Sequence, residues 1–319
     1  MKKARLVVLI GPTAVGKTAL SLALARRLDA EIISGDSMLF YRGFDIGTAK
    51  PTRDERTVVP HHFIDILAPT ASFNVMDFQR LAHEEIGRIT VRGKMPLVVG
   101  GTGLYIKALV EGYVFNETSG DAVYRERLEA LAQEKGKSYV HGLLHEMDPQ
   151  AAARLHVNDF RRVVRALEVA SLGHEHISER RAAIFGDLFY DAYVVGLRRE
   201  RQELYMRIEE RVDAMLAAGF TEEVRSLLSA GVSSDCPAMK GIGYREMLAY
   251  LAGSMDLPLA AEEIKKATRH FAKRQLTWFR KMPYVHWYDA AQGESALLEK
   301  ICTDIRRSFH AGKTAEPTG

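Results

Sequence analysis

Residues 11–18 read GPTAVGKT, and they contain the residue types needed to hold a diphosphate. Their spacing fits the template G-x-x-x-x-G-K-[S/T], in which a glycine-rich turn joins a strand to a helix. Backbone N–H groups and the positive end of the helix then face one concavity. Lys17 can reach the phosphates, and the hydroxyl of Thr18 can ligate magnesium. The motif predicts a phosphate cradle and leaves open whether the diphosphate belongs to ATP or to another molecule.

The sequence around this motif predicts an α/β fold. Residues 6–10 form a continuous apolar run, and residues 19–28 favour a helix. Further buried strands are predicted at residues 31–34, 96–99 and 190–197. Continuous apolar runs are typical of parallel strands that are covered on both faces. We therefore expect a P-loop NTPase-like core with a parallel sheet flanked by helices.

Asp36 lies just past the end of the second predicted strand, after Gly35. Because the carboxyl ends of parallel strands meet at one edge of a sheet, Asp36 is expected beside the phosphate cradle. There it could act as a general base or as a magnesium partner. The alternative is that its carboxylate only caps the next turn.

The strand at residues 96–99 ends in Gly100, at the position where many nucleotidases carry an acidic residue that holds magnesium through water. Glycine permits a close backbone approach instead. This substitution disfavours ordinary ATP chemistry without excluding it. His61 and His62 follow Pro60, but further metal ligands at suitable spacing are not near, so packing or hydrogen bonding is the favoured role.

From residue 116 the pattern changes to helices alone, which predicts a helical insertion at residues 116–196 between core segments 1–115 and 197–303. Its helices are expected at residues 121–134, 149–155 and 159–172, the last ending at Gly173. The third helix carries Arg161, Arg162 and Arg165, which form either a solvated face or a contact with phosphate groups. Residues 304–319 are predicted to be a disordered tail.

Two predicted helices in the last third of the chain carry basic residues that could either be solvated or bind an anion. Arg201 stands at the start of one helix, where the helix dipole does not favour a cation and a nearby anion would supply a reason. The helix at residues 260–282 has an apolar face opposite a basic stripe, which is either solvated surface or a nucleic-acid contact. The stripe comprises Lys266, Arg269, Lys273 and Arg280.

Composition limits the possible classes of protein. The chain has 319 residues and a net charge of +3, which is compatible with a polyanionic partner without requiring one. Cys236 and Cys302 are too few for a multi-cysteine zinc site or a disulfide framework, so a metal should be held by oxygen. The N-terminal apolar run is too short for a signal peptide, and a run of ~20 apolar residues is absent. We expect a cytoplasmic protein without a membrane partner.

In combination, these stretches resemble the bacterial tRNA dimethylallyltransferases, also called tRNA isopentenyl transferases. The ordered set covers nearly the whole chain except the C-terminal tail, and it is far more specific than its first motif alone. The motifs are GPTAVGKT at Gly11, ISGDSM at Ile33, YRGFDIGTAKP at Tyr41, PHHFIDI at Pro60, VVGGTGLY at Val98, NDFRRVVRALEV at Asn158, RQELYMRI at Arg201, GIGYRE at Gly241 and TRHFAKRQLTWFRK at Thr268.

The resemblance implies an enzyme that transfers a dimethylallyl group from dimethylallyl diphosphate to the exocyclic amine of the tRNA adenosine immediately 3′ of the anticodon. It also implies Mg²⁺ as the cofactor, and a monomer is expected. The cradle would hold an isoprenoid diphosphate. The runner-up is a P-loop small-molecule kinase, in which Asp36 would orient a substrate hydroxyl against ATP. A third possibility, an RNA-binding module with a vestigial loop, is disfavoured because Lys17, Thr18 and Asp36 are intact.

The resemblance also assigns roles to individual residues. Asp36 would be the general base, with Thr102, Lys17 and Arg201 as further catalytic groups. Thr18, together with Asp36 as a second candidate, would hold the metal. Diphosphate would be bound by Gly11, Pro12, Thr13, Ala14, Val15, Gly16, Lys17, Thr18 and Arg201. tRNA would be contacted by Asp36, Ser37, Met38, Leu39, Thr102, Arg161, Arg162, Arg165, Lys240, Gly241, Gly243, Arg245, Lys266, Arg269, Lys273 and Arg280.

Two positions depart from the family pattern. Leu39 stands where the family usually has Gln, so a side-chain amide that could bind RNA is missing. Lys240 stands where Gln is frequent, which could exchange a base contact for a phosphate contact. Neither departure is expected to abolish activity.

Overall fold

The computed structural model describes residues 3–115, 121–171 and 188–311. Within these ranges, six strands form a single sheet in the order β3-β2-β4-β1-β5-β6, and every neighbouring pair is parallel. The all-parallel sheet, flanked by helices, confirms the predicted α/β class. The strands are β1 (Arg5–Ile10), β2 (Ala30–Ser34), β3 (His61–His62), β4 (Met95–Gly100), β5 (Asp191–Arg198) and β6 (Val285–Asp289).

Helices connect the strands and extend the chain beyond them. None of the described helices is long and apolar enough to cross a membrane. A 3₁₀ turn occupies Ala238–Lys240. The α-helices are α1 (Lys17–Leu28), α2 (Arg53–Val58), α3 (Val75–Val91), α4 (Gly103–Glu111), α5 (Ala122–Lys135), α6 (Lys137–Met147), α7 (Pro149–Arg154), α8 (Phe160–Ser171), α9 (Arg201–Ala217), α10 (Phe220–Ser229), α11 (Tyr244–Leu251), α12 (Leu257–Phe279) and α13 (Glu294–Ala311).

The central strand β1 explains why the sheet is buried on both faces. Its residues from Leu6 to Ile10 are fully inaccessible to solvent. Because successive side chains of a strand point to opposite faces, Val7 and Leu9 join the core that includes α1 and α13 residues. Leu6 and Val8 join the core that includes α3 and α4 residues. Residues 6–10 are apolar without interruption because helices cover both faces of the sheet, so every side chain of this stretch is buried.

The strand order places the functional loops at one edge. β1 lies between β4 and β5, so the chain crosses to one side of β1 early and to the other side later. Ligands of such sheets bind outside the carboxyl ends of the strands at this switch point. Residues 11–16 follow β1, Asp36 follows β2, and Gly101 follows β4. The three segments predicted to carry chemistry thus leave the sheet at the same edge.

The chain divides into two compact units, one comprising Met1–Val110 with Leu188–Gly319 and the other Glu111–Asp187. In the second unit, α5 to α8 surround a small core that includes Leu128, Leu144 and Leu167. The predicted insertion boundary at residue 196 is wrong, because residues 191–196 of β5 pair with β1. The predicted helix stop at Gly173 lies outside the described residues.

The prediction of a disordered tail from residue 304 is wrong as far as residue 311. Helix α13 continues to Ala311, and Ile301, Ile305 and Phe309 are buried at four-residue spacing. This spacing places the three side chains on one helical face, which packs against the core that includes α1. Residues 312–319 lie outside the described part of the chain.

A surface loop after β2 is held by two charged side chains. The carboxylate of Glu223 on α10 accepts hydrogen bonds from the backbone N–H groups of Asp45, Ile46 and Gly47 and from the hydroxyl of Tyr244. The ammonium of Lys50 donates to the Tyr41 carbonyl at 2.8 Å and to the carboxylates of Asp45 and Asp65 at 2.6 and 2.5 Å. This loop, residues 45–51, is therefore a fixed part of the fold.

We predict that Lys50→Met lowers the free energy of unfolding by about 1–3 kcal/mol, because it leaves two carboxylates and a carbonyl without their shared donor. The Lys50 side chain is only 2% exposed, so water cannot replace it without rearrangement of the loop. Urea unfolding monitored by circular dichroism measures the loss.

Lys94→Met is the matched control. Lys94 also pairs with an aspartate, Asp29, at 2.7 Å, but the two side chains are 42% and 76% exposed. Exposed pairs of this kind contribute at most about 1 kcal/mol. Equal losses for the two variants would contradict a structural role for the buried ammonium.

Candidate active site

A cavity of about 810 Å³ opens at the carboxyl ends of the strands. Its lining includes the cradle residues Lys17 and Thr18 as well as Asp36 and Thr102. Apolar side chains from α9 and α12, among them Ile208 and Ile264, line another part of it. The cavity therefore combines a phosphate-binding surface, a carboxylate and an apolar wall.

The cradle adopts the backbone conformation that its sequence predicts. Gly16 has a φ of 108° at the N-cap of α1, a conformation that side chains rarely permit. Lys17 folds back over the loop, and its Nζ donates to the carbonyl oxygens of Gly11 at 3.0 Å and Pro12 at 2.8 Å. Burial lowers the pKa of Lys17 to about 8, against the opposing effect of Asp36. An anion in the cradle would therefore restore the favourable environment of the ammonium.

Three side chains from the segment after β5, from α9 and from α12 brace the cradle. Arg207 on α9 donates from Nε to the Ala14 carbonyl at 2.9 Å, and Arg199 donates from Nε to the Val15 carbonyl at 3.1 Å. Gln275 on α12 accepts from the Thr13 N–H at 2.9 Å. Ala14 holds a positive φ of 62°, which costs energy in a residue other than glycine. These contacts fix the loop before any ligand enters.

Asp36 caps its own turn and also faces the cavity. Its Oδ1 accepts a hydrogen bond from the Met38 N–H at 3.0 Å, so the carboxylate does cap its own turn. The carboxylate also lines the cavity, and its charge partly offsets the lowering by burial of the pKa of Lys17 and of Arg211. Its local hydrogen bond fixes the orientation of the side chain while leaving Oδ2 as an acceptor for a ligand.

Thr102 and Ser37 connect the ends of β4 and β2. The Ser37 N–H donates to Thr102 Oγ1 at 3.1 Å, and the Thr102 hydroxyl donates to Ser37 Oγ at 3.4 Å. The Thr102 N–H also reaches the Gly35 carbonyl at 3.4 Å. Ser37 and Thr102, both predicted to contact tRNA, are therefore brought together beside Asp36.

The glycine at the end of β4 has a steric cause. A Cβ placed on Gly100 would lie 2.3 Å from the carbonyl oxygen of Gly35, which is too close for any side chain. The Gly35 N–H is bonded to the Val99 carbonyl at 2.8 Å, so the two strand ends cannot separate locally. An acidic magnesium ligand at this position is thus incompatible with the packing of β2 against β4.

Of the predicted diphosphate-binding cations, Lys17 lines the cavity and Arg201 does not, whereas two other arginines do. Arg207 and Arg211 on α9 line the cavity, and Arg211 donates from Nη2 to the Thr48 carbonyl at 3.3 Å. Burial lowers the pKa of Arg211, whereas Asp36 counteracts that effect. Arg201 is exposed at the start of α9, with its guanidinium 5.2 Å from the ring centroid of Tyr205 and outside the cavity lining.

The sequence contains signals for the residues that prediction missed. Arg207 and Arg211 are four residues apart, on the helix whose apolar stripe includes Ile208. Gln275 lies four residues after Phe271, so it is a polar residue at a position of the apolar face of α12. A polar side chain at such a position requires a buried partner, and Gln275 has two.

A second group of ionisable side chains lies at the other end of β2. Glu31, His62 and Glu85 could offer metal ligands within 4.8 Å of one another. Arg92 already donates to both carboxylates, at 2.7 Å to Glu31 and 3.3 Å to Glu85. Hydrogen bonds, first from Arg92 and then from His62, hold the pKa of Glu31 below its usual range. This supports the predicted hydrogen-bonding role of His62 rather than a metal site.

The predicted RNA-contact residues of the helical unit are partly engaged within it. Glu168 on α8 is fully buried, and Arg165 and Arg125 both pair with it. Burial alone would raise the pKa of Glu168, but hydrogen bonds from these two arginines lower it. Arg161 and Arg162 are exposed, and Arg162 lies 3.6 Å from Asp159. Arg165 therefore has a structural role whether or not it meets RNA.

The other predicted RNA-contact residues divide between the cavity and the surface. Met38, Leu39, Gly241 and Gly243 line the cavity. Lys240 is exposed in the 3₁₀ turn, and Arg245 pairs with Glu246 at 2.5 Å. In the stripe on α12, Lys266 pairs with Glu263 and Arg269 pairs with Glu209, whereas Lys273 and Arg280 are exposed.

Similarity to known proteins was found across nearly the whole chain. A family model described as IPP transferase matches residues 39–282, and one described as isopentenyl transferase matches residues 4–66. A curated protein of Bacillus velezensis named tRNA dimethylallyltransferase is 49% identical over 288 residues, which cover 90% of this chain and 91% of that protein.

Solved structures give the same result. A tRNA isopentenylpyrophosphate transferase from Bacillus halodurans has a TM-score of 0.72 and 41% identity, covering 98% of this chain and 100% of that chain. A eukaryotic dimethylallyltransferase acting on tRNA has a TM-score of 0.79 and 28% identity, covering 98% of this chain and 80% of that chain. The chain therefore belongs to the IPP transferase family, the family of the tRNA dimethylallyltransferases.

Proposed function

We propose that the protein transfers a dimethylallyl group from dimethylallyl diphosphate to the N6 amine of the adenosine immediately 3′ of the anticodon in tRNA, releasing diphosphate. The observation that carries this proposal is the placement of Asp36 in the same cavity as the phosphate cradle. An amine acceptor needs a base, and an allylic diphosphate needs an anchor for its leaving group. Family membership supports this chemistry over the kinase alternative.

The chemical step is a substitution at carbon. The bond between the allylic carbon and the bridging oxygen breaks, a bond forms between that carbon and N6, and the N6 proton passes to a carboxylate oxygen of Asp36. Negative charge accumulates on the departing diphosphate, next to Lys17 and the first-turn N–H groups of α1, which have no intrahelical partner. We propose that Arg211 adds a second cation there. The position of Arg201 outside the cavity does not support the same role for it.

Mg²⁺ fits the donor atoms at this site. Thr18 is exposed at the start of α1 and lines the cavity, where its hydroxyl is one oxygen donor and Asp36 offers carboxylate oxygens. Oxygen ligands of this kind suit magnesium, which is commonly bound by few protein groups together with substrate phosphates. When bound, the ion would neutralise charge on the diphosphate. The group at Glu31 is unsuited to this role, because Arg92 and Arg88 already balance its carboxylates.

The acceptor must enter the cavity as an unstacked base. Removing adenine from its stack costs a few kcal/mol, so contacts to neighbouring nucleotides must offset that cost. Gly241 and Gly243 line the cavity without side chains that would obstruct the base. We propose that Lys240, Arg245 and the stripe on α12 bind the anticodon arm, together with Arg161, Arg162 and Arg165 of the helical unit. Leu39 lines the cavity and can offer the base only an apolar contact.

The kinase alternative shares the cradle and the carboxylate. It lacks a place for the acidic metal ligand that it prefers, because Gly100 cannot carry a side chain. Incubation of the protein with ATP, Mg²⁺ and small alcohols is expected to give no phosphorylated product above background.

We predict that Asp36→Asn lowers the rate of label transfer from dimethylallyl diphosphate to tRNA by about 10²- to 10⁴-fold, because the amide cannot take the N6 proton. Binding of tRNA, measured by filter retention, is expected to persist because the amide oxygen can still accept the Met38 N–H. Single-turnover measurements with labelled substrate give the rate.

Asp289→Asn is the control for this variant. Asp289 is the last residue of β6, and its Oδ1 accepts the N–H of Ala291, two residues on, at 2.9 Å. It therefore has the local hydrogen bond of Asp36 without lining the cavity. Near wild-type transfer by Asp36→Asn would remove Asp36 from the role of base.

Arg211 and Arg201 form a matched pair for the leaving-group cation. We expect Arg211→Gln to raise KM for dimethylallyl diphosphate or lower kcat by a combined ten- to hundredfold, about the value of a hydrogen bond to a charged group. Arg201→Gln should change the same quantities by less than about threefold, because its side chain is exposed. A larger effect of Arg201→Gln would assign the anion contact to Arg201.

Replacing Lys266, Arg269 and Lys273 together by Ala should weaken tRNA binding and flatten its dependence on salt. The slope of log Kd against log salt concentration is expected to fall by roughly one for each phosphate group that the variant no longer binds. The control replaces Arg27, Arg88 and Lys94, which are exposed, ion-paired cations in segments that meet the sheet at the opposite ends of its strands. Equal slopes for the two triple variants would mean that the stripe is only a solvated face.

A further inference from the structure

The buried amide of Gln275 connects two parts of the active site that the reaction must bring together. Its side chain belongs to α12 and is only 5% exposed. Oε1 accepts from the Thr13 N–H at 2.9 Å, and Nε2 donates to the Gly101 carbonyl oxygen at 2.9 Å. Thr13 belongs to the phosphate cradle, and Gly101 precedes Thr102 at the end of β4. One amide thus spans the cradle and the acceptor side of the cavity.

The two hydrogen bonds fix which end of the amide faces which partner. Thr13 offers a backbone N–H and Gly101 a backbone carbonyl, so a flipped amide would set donor against donor and acceptor against acceptor. Both partners are backbone groups that cannot reverse their own polarity. The position therefore needs a side chain that donates at one end and accepts at the other.

The amide of Gln275 is packed closely against the backbone that follows β4. A Cβ on Gly101 would lie 2.4 Å from Nε2 of Gln275 and 3.8 Å from Oδ2 of Asp36. One turn further along α12, Trp278 covers the next glycine, where a Cβ on Gly103 would lie 2.3 Å from Cδ1 of the indole. Helix α12 is therefore packed directly against the segment that follows β4, and the side chain of Gln275 is held at a set distance from Asp36.

We propose that Gln275 is a positioning residue for prenyl transfer: its amide fixes the separation between the diphosphate cradle and the pair Asp36 and Thr102. The inference rests on the proposed function, because that separation sets the distance from the electrophilic carbon to the amine. A displacement of about 1 Å can cost as much as 10²-fold in rate. Gln275 lines the cavity, but both polar ends of its amide are already bonded to backbone groups of the protein, so we expect its loss to lower kcat rather than to weaken substrate binding.

The first test compares Gln275→Met with wild type under single-turnover conditions with both substrates saturating. Methionine has a similar length and no amide, so the brace is lost while the space remains filled. We expect the rate of transfer to fall about ten- to hundredfold, while KM for dimethylallyl diphosphate and Kd for tRNA change by less than about threefold. Gln79→Met is the control, because Gln79 is also a buried glutamine that donates to a backbone carbonyl, that of Ala108, at 2.9 Å.

The second test uses Gln275→Glu, which separates positioning from general destabilisation. The introduced carboxyl can donate to the Gly101 carbonyl and accept from the Thr13 N–H only when it is protonated, and its ionised form repels that carbonyl. Burial favours the protonated form, so the rate relative to wild type should rise as the pH is lowered from about 9 to about 6. The charged and titratable groups that also line the cavity are present in both proteins, so their own titration cancels in the ratio, which reports the introduced carboxyl together with its coupling to them. These groups are Lys17, Asp36, Glu55, His61, Arg207, Glu210, Arg211 and Tyr244.

The outcomes separate this inference from the proposed function. Rates of Gln275→Met and Gln275→Glu close to wild type, a loss confined to KM for dimethylallyl diphosphate, or a pH-independent ratio for Gln275→Glu would each overturn it. If Gln275→Met fails to fold by thermal melting, the pH ratio of Gln275→Glu decides. A wild-type protein that transfers no label would refute the proposed function itself, whereas an active wild type with unaffected variants refutes only the role of Gln275.

Discussion

The close contact between the carboxyl ends of β2 and β4 is the constraint on which the site depends. At Gly35 and Gly100 the two backbones approach so closely that a Cβ on Gly100 would meet the Gly35 carbonyl at 2.3 Å. This packing excludes the acidic residue with which many nucleotidases hold magnesium. It also places Asp36 and Thr102 on adjacent segments, joined through Ser37. The same contact therefore disfavours phosphoryl transfer and brings together Asp36 and Thr102, the groups that we propose act on the amine.

The phosphate cradle is held from outside as well as from within. Lys17 satisfies carbonyls inside the loop, while Arg199, Arg207 and Gln275 bond its outer groups. A loop fixed in this way loses little further freedom when an anion binds, so more of the binding energy remains for the departing diphosphate. The bracing side chains belong to the segment after β5, to α9 and to α12. The part of the chain after residue 198 therefore supports the phosphate cradle at residues 11–18.

Local patterns predicted the parts of the fold that depend on neighbours in sequence. The motif at residues 11–18, the apolar strands and the position of Asp36 follow from spacing alone. The position of Gln275 on the apolar face of α12 indicates a buried partner, but the partners themselves, Thr13 and Gly101, could not be predicted because they are distant in the chain. The sequence also did not indicate which arginine of α9 lines the cavity. Arg201, Arg207 and Arg211 are on the same helix, and only the tertiary structure shows that Arg207 and Arg211 face the cavity and Arg201 faces solvent. The end of α13 was missed because the polar residues around Ile305 and Phe309 obscured their apolar spacing.

The central claim is that the cradle anchors a leaving diphosphate and that the electrophile is the carbon attached to it. Dimethylallyl diphosphate labelled with ¹⁸O at the bridging position tests this most directly, with mass spectrometry of the diphosphate released during transfer to tRNA. Cleavage between carbon and oxygen predicts that the heavy oxygen leaves with the diphosphate, in amounts equal to the prenyl groups found on adenosine. Unlabelled diphosphate, with the heavy oxygen retained on the organic product, would show attack at phosphorus and contradict the account.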